Sequence, residues 1–234
     1  MAVMSEVVAE NVVPVLDHGF VALDGSLATD LAVVNAARVS FNQASQELSE
    51  RDAGLIRFLM RHRHGTPFEH GYFRFLVKAP LFVVREHHRH RVGHGYNEWS
   101  GRYSKLEAEF YVPEFVRTQV GKPGSYSFEP VDEDTAEAAQ HEIAGSAEQA
   151  FGAYERMLER GVAKEVARTV LPLSTYTKYY WSCNPRSLMH FCGLRNHESA
   201  QFEIRQYAAA AESFLERLLP VTWAAFVENG RTAP

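Results

Sequence analysis

Cysteine is scarce in this chain: of 234 residues only Cys183 and Cys192 carry a thiol, nine positions apart. Two thiols in a chain this long exclude a disulfide scaffold and point to a reducing compartment. No CxxC pair and no Cys/His spacing of a zinc site occurs. Long apolar runs are missing as well, none approaching the roughly 20 residues that cross a bilayer. The N-terminal MAVMSEVVAEN lacks the positive flank and continuous apolar stretch of a signal peptide, so the cytoplasm is the expected location. Basic excess is also absent. Lys and Arg number 24 against 29 Asp and Glu, a formal charge of −5, which argues against broad electrostatic binding to nucleic acid. There is no GxGxxG and no P-loop, so a nucleotide cofactor needs a site unlike either.

What is present suits a soluble globular chain, 46% hydrophobic and 23% charged. We expect one catalytic domain over 1–234, with its core at 12–220 and flexible tails at 1–10 and 229–234. Val12 to Leu23 alternates as a strand pair around Asp17, His18 and Gly19. Leu27 to Val39 has helical spacing. A second helix runs from Asp52 to about Arg63, with Ser49 and Asp52 forming a variant capping box. Tyr72 to Val77 alternates as a strand, and Pro80 fits the first turn of the helix that follows. Glu107 to Val112 also reads as a strand, and 113–134 as a loop. Long helices are expected at Asp134 to Arg160, closed by Gly161, and at Ala200 to Leu219, with shorter ones at Ala163 to Leu171 and from Pro185 through Leu194. Tyr176 to Trp181 suits strand or helix. The pattern is α+β: a central, mainly antiparallel sheet covered by long helices.

The densest chemistry lies in Arg85 to Ser104, REHHRHRVGHGYNEWSGRYS. Arg85, Arg89, Arg91 and Arg102 stand among His87, His88, His90 and His94. Such a segment is costly to bury without partners, and a guanidinium fork matches phosphate bidentately, so an anionic ligand is the simplest occupant. Arg89, His90 and Arg91 are consecutive and converge best at a helix end or turn. Glu98, Ser100 and Arg102 alternate at period two, which would put them on one face of an extended segment. His90 and His94 have the i,i+4 spacing of two metal ligands, but Gly93 and Gly95 oppose helix and the arginines would repel a cation, so no metal is assigned. A surface ion-pair network and a nucleic-acid-binding module are the competing readings. Two further groups stand out: HGTPFEH at His64 to His70, and Arg168, Arg186 and Arg195 among apolar and aromatic neighbours. Cys183 and Cys192 lie in apolar stretches and read as buried and inert.

These residues give the chain a close resemblance to the flavin-dependent thymidylate synthases. Arg89-His90-Arg91 and Asn97-Glu98-Trp99-Ser100-Gly101-Arg102-Tyr103 carry the signature. It is supported by AARVSF at Ala36 to Phe41, HGTPFEH, EVARTVLP at Glu165 to Pro172, NPRSLMHF at Asn184 to Phe191, and Leu194-Arg195. The resemblance implies reductive methylation of dUMP to dTMP, with methylenetetrahydrofolate as carbon donor and NADPH reducing FAD. It implies that Ser40, Thr66, Arg89, His90, Arg91, Glu98, Asn184, Arg186 and His190 contact FAD, with His64 close to the flavin or folate. It assigns dUMP to Glu86, Arg89, Glu98, Ser100, Gly101, Arg102, Arg168 and Arg195, and activation of the uracil to Arg195. It also implies a homotetramer with active sites shared between subunits. Three features depart from many relatives: eight residues, not seven, separate Arg91 from Ser100; His190 replaces an Asn; and Glu86 replaces a Gln, which calls for an arginine to neutralise it.

Overall fold

The computed structural model describes residues 11–122 and 125–234. Along the chain run β1 (Val12–Val15), β2 (Gly19–Ser26), α1 (Asp30–Arg38), α2 (Glu50–Arg61), β3 (Phe73–Pro80), α3 (Leu81–His87) and β4 (His94–Glu98). They are followed by β5 (Arg117–Lys122), β6 (Ser125–Pro130), α4 (Glu133–Glu159), α5 (Lys164–Ala167), β7 (Tyr176–Cys183), α6 (Pro185–Arg195), α7 (Phe202–Leu218) and α8 (Pro220–Glu228). Five strands make one sheet in the order β1-β2-β3-β7-β4, with antiparallel neighbours throughout. The α+β architecture is the expected one.

Period-two alternation sends Phe73, Phe75, Val77 and Ala79 of β3 to the face that also carries Tyr179, Trp181 and Cys183 of β7. Helix α7 supplies Ile204, Tyr207, Ala208, Ala211, Phe214 and Leu215 at three- and four-residue spacing to the same core. Phe75 sits at its centre, 4.9 Å from the Trp181 ring and 5.7 Å from Phe214. Truncating such a ring costs about 3–5 kcal/mol. The alternate residues Phe20, Ala22 and Leu76 form a small cluster on the other face, with Val12 and Tyr180 beside it.

Local chemistry sets several boundaries. Ser49 caps α2 with Asp52 reciprocating, the expected capping box, although the helix starts at Glu50. The ambiguous aromatic run at Tyr176 is strand β7, because it pairs with β3 on one side and β4 on the other. The helix expected over Ala163 to Leu171 is only the short α5 and one further tight turn, Arg168–Val170.

Other expectations need correction. Glu107 to Val112 is not a ladder strand; it makes a single bridge, Phe110 to Thr175. The loop expected at 113–134 contains the β5–β6 hairpin, whose polar and exposed residues hid it. Its base is fixed by Arg117, which grips buried Glu203 through two bonds of 3.0 and 2.9 Å. The helix expected over Ala200 to Leu219 is α7 and ends there, since Pro220 disfavours helix before it, but a further helix that was not expected, α8, follows. Asp30 accepts the amides of Val221 and Thr222 at 2.9 and 2.8 Å, which satisfies the start of α8. The tail expected to fray, 229–234, packs instead: Pro234 is buried and Arg231 supplies the counter-charge to Glu212. The tail expected at 1–10 lies outside the described residues.

Candidate functional site

A groove of about 1300 Å³ opens between the end of α1, helix α2 and the turn that follows α2. Ser40, His64 and Thr66 line it together, as do Arg38, Arg51, Arg63, Phe41 and Phe58. The presentation of His64 is a backbone effect. His64 N–H donates to the Leu59 carbonyl at 2.9 Å and Arg63 N–H to Met60 at 3.2 Å, a Schellman closure. The left-handed position of that closure, usually glycine, is occupied by Arg63 with φ of 58°. Holding an arginine there costs about 1 kcal/mol.

The groove suits a flavin dinucleotide. Val39 and Phe41 are more than 70% exposed, giving flat apolar surface for a ring system. The cations and hydroxyls around them suit phosphate and ribose. Arg38, held to Asp52 at 2.5 Å, keeps a buried Nε that no protein atom satisfies, an atom in need of a ligand. Arg38, Arg51, Arg63, Phe41 and Phe58 were not assigned from the sequence. AARVSF contains two of them; nothing marked the others.

Next to the groove, the Arg186 guanidinium packs directly over Gly65, with Nη1 bonded to Glu69 at 2.5 Å. Asn184 plays a structural part, since its side-chain oxygen accepts from Ser187 N–H at 2.8 Å and caps α6.

A second cluster forms where the ends of α3 and α6 meet. Arg195 donates from Nε to His90 Nε2 at 3.0 Å, from Nη1 to Glu86 Oε2 at 3.1 Å, and from Nη2 to the Glu86 carbonyl at 3.4 Å. The arginine required to neutralise Glu86 is therefore Arg195. Burial raises the Glu86 carboxyl above its ordinary value, against the pull of Arg195. Burial, then the adjacent Arg195 charge, lowers His90 to about 4; burial, then His190, does the same for His94. His90 is thus neutral at physiological pH and accepts at Nε2. Its ring lies 6.2 Å from that of His190, which is exposed on α6. Arg89 and Arg91 flank His90 in the turn after α3, both exposed.

The spacer at Val92 to Gly95 is defined by α6. Ser187 Oγ donates to the Val92 carbonyl at 2.9 Å, and a β-carbon on Gly93 (φ 71°) would collide with that hydroxyl. Beyond it, Glu98 ends β4 and accepts from Thr177 Oγ1 at 2.9 Å. Glu98, Gly101 and Arg168 line one small cavity of about 100 Å³ with Trp99, Leu106 and Thr177. Ser100 and Arg102 are not in extended chain as the period suggested; both Tyr103 and Ser104 amides return to the Ser100 carbonyl, closing a turn. Arg102 pairs with Glu165 at 3.2 Å, both side chains half exposed. The assigned residues thus do not share one pocket of this chain: Ser40, His64 and Thr66 line the groove, Glu86 and His90 surround Arg195, and Glu98, Gly101 and Arg168 line the small cavity.

Three of the arginines carry a glutamate each: Arg102 with Glu165, Arg186 with Glu69, Arg195 with Glu86. Nothing here favours the nucleic-acid reading. No described helix is long and apolar enough to cross a membrane. Cys183 and Cys192 are buried, with thiols pushed well up by that burial.

The chain thus holds an arginine fixed between a carboxylate and a neutral imidazole, and separately a groove rimmed with cations and aromatics, an arrangement that suits an enzyme acting on anionic ligands. Residues 23–221 match the family described as thymidylate synthase complementing protein. The chain belongs to that family, the flavin-dependent thymidylate synthases. It is 50% identical to the flavin-dependent thymidylate synthase of Streptomyces coelicolor over 228 residues, covering 89% of this chain and 91% of the relative. A Thermus thermophilus enzyme of the same name is 46% identical over 217 residues, 93% of this chain and 78% of the relative. A crystal structure of the UMP/dUMP methylase PolB from Streptomyces cacaoi, bound with 5-Br dUMP, superimposes with a TM-score of 0.86 at 43% identity. That match covers 95% of this chain and all of the other. A second PolB structure, bound with 5-Br UMP, has a TM-score of 0.85 at the same identity, covering 92% of this chain and 96% of the other.

Proposed function

We propose that this chain methylates dUMP to dTMP reductively, taking the one-carbon unit from methylenetetrahydrofolate and the hydride through FAD that NADPH has reduced. The observation that carries the reading is Arg195, whose guanidinium is held by Glu86 and His90 within a chain of this family. FAD, when bound, supplies the redox chemistry. Ser40, His64, Thr66 and Arg186 would hold it, with His90, Arg89, Arg91, Asn184, Glu98 and His190 completing its surroundings.

The remaining work belongs to the chain's own side chains. Arg195 would stabilise negative charge on the uracil as its N3 loses a proton, enriching the ring for attack on the methylene carbon. Glu86 and His90 hold that guanidinium so that no reorganisation is needed during reaction. Glu98, Ser100, Gly101, Arg102 and Arg168, with Glu86 and Arg89, would bind dUMP; the arginines would meet its phosphate, Glu165 giving up Arg102. Ser100 would act as a binding group: its Oγ accepts from Arg102 N–H at 3.3 Å, and among the described residues no general base is hydrogen-bonded to it. We further assign a cytoplasmic homotetramer in which neighbouring subunits bring the groove, the Arg195 cluster and the Glu98 cavity together.

The test is direct. Purified protein should bind FAD with visible flavin absorption and form dTMP from dUMP and methylenetetrahydrofolate with matching NADPH consumption. UMP is the necessary control substrate, given the methylase with which the fold superimposes. Protein that neither binds FAD nor oxidises NADPH in response to dUMP would remove the proposal.

A further inference from the structure

Residues 230–234 turn back onto α6 and end on Arg186, and we propose that they are a strap that positions this arginine for FAD. The proposal rests on the assignment of Arg186 to that cofactor. The reversal is built by a second Schellman closure at the end of α8. Arg231 N–H donates to the Phe226 carbonyl at 2.9 Å and Gly230 N–H to Val227 at 3.1 Å. Gly230 and Arg231 both take left-handed backbone, at φ 66° and 56°.

Two contacts then clamp the strap to the core. The Arg231 guanidinium pairs with Glu212, a carboxylate of α7 that Asn196 and Trp223 also serve at 2.8 and 3.1 Å. The Arg231 carbonyl lies so close to Gly193 of α6 that a β-carbon there would come within 2.5 Å of it. From that point the chain runs back along α6 until the Pro234 carbonyl accepts from Arg186 Nε at 2.6 Å. The lengths agree: Gly193 to Arg186 is two helical turns, a rise of about 10.5 Å. Three residues of extended chain span about 10 Å. Pro234 itself is buried.

The consequence is a guanidinium with little freedom. Pro234 holds Nε, Glu69 holds Nη1, and the plane rests over Gly65, between the groove residues His64 and Thr66. A free arginine would lose rotamer entropy on meeting an anion. Here the strap has already removed most of that freedom. Its role is positioning, since its contacts are to Arg186, Glu212 and Gly193.

The experiment measures FAD affinity by titrating flavin-free protein and following flavin fluorescence. Deleting 232–234 leaves the Arg231 clamp but removes the Arg186 contact, and affinity should fall about tenfold. In an Arg186→Ala background the same deletion should change nothing further. Gly193→Ala, which pushes Arg231 off α6 in the full-length chain, should reproduce the loss and answers for the deletion should that fail to fold. Unchanged affinity after the deletion, or an equal loss with and without Arg186, overturns the strap. Wild-type affinity in Arg186→Ala itself overturns the assignment on which the strap rests.

Discussion

The Nε of Arg195 donates to Nε2 of His90 across 3.0 Å, so this imidazole is an acceptor in the folded chain and its proton sits on Nδ1. A protonated His90 would offer Arg195 a second cation. That is why burial and Arg195 together lower His90 to about 4.

The pH dependence of stability follows from this with a definite sign. Unfolded, His90 and His94 ionise near 6.5; folded, both do so near 4. The unfolded chain therefore binds more protons between those values, and stability falls as pH drops from about 6.5 towards 4. His90 alone should contribute a loss on the order of 2 kcal/mol once partial solvent screening is allowed for. Glu86 acts in the opposite sense: its raised folded value keeps its contribution at low pH and loses it as pH rises through that value. Urea titrations at pH 7, 6 and 5 check this, and a flat profile would mean that the histidines are ordinary.

Glu86 separates charge from geometry. Glu86→Gln keeps a bond to Arg195 but removes a negative charge beside the proposed dUMP site. It should lower KM for dUMP by about threefold at low salt, an effect that fades at high salt. Glu86→Ala, which leaves Arg195 without its carboxylate anchor, should lower kcat by about tenfold. A kcat unchanged in the alanine variant would mean that His90 alone fixes the guanidinium.

Arg63 exchanges stability for a cation in the groove. Arg63→Gly should raise stability by about 1 kcal/mol, because glycine takes the left-handed position freely. The same change should weaken FAD binding by several-fold through the lost charge. A denaturation curve and a flavin titration on one preparation measure both. Loss of stability would show that the left-handed backbone carries no strain.

Two glycines predict opposite outcomes. Gly93→Ala places a methyl against Ser187 Oγ at a positive φ and should cost about 2 kcal/mol or more. Gly54→Ala, inside α2 with open space around its β-carbon, should stabilise by about 0.5–1 kcal/mol. Thermal melts of the pair suffice. Equal effects would mean that the spacer tolerates a side chain.

Much of the framework was legible in the sequence because it rests on local patterning. The Ser49–Asp52 capping box, the β1–β2 pair and the α6 start at Pro185 are all written within a few residues. The hairpin at Arg117 to Pro130 was not, since no face of it is buried and alternation carries no signal there. The end of α7 at Leu219 was expected, but α8, which Pro220 opens, was not. The packed tail depended on Glu212, a distant carboxylate that the local sequence does not announce. At the candidate site, the family resemblance singled out Arg195, and period-two spacing singled out Glu98. Their partners were set by tertiary contacts: His90 and Glu86 reach Arg195 only because α3 and α6 end side by side.

The central claim, that Arg195 activates the pyrimidine in an FAD enzyme, is tested most directly by Arg195→Ala assayed for dTMP formation with FAD content measured on the same sample. The variant should keep its flavin and its fold while dTMP formation falls by about 100-fold or more. Normal dTMP formation would contradict the role of Arg195, and loss of flavin would place this residue in the cofactor site instead.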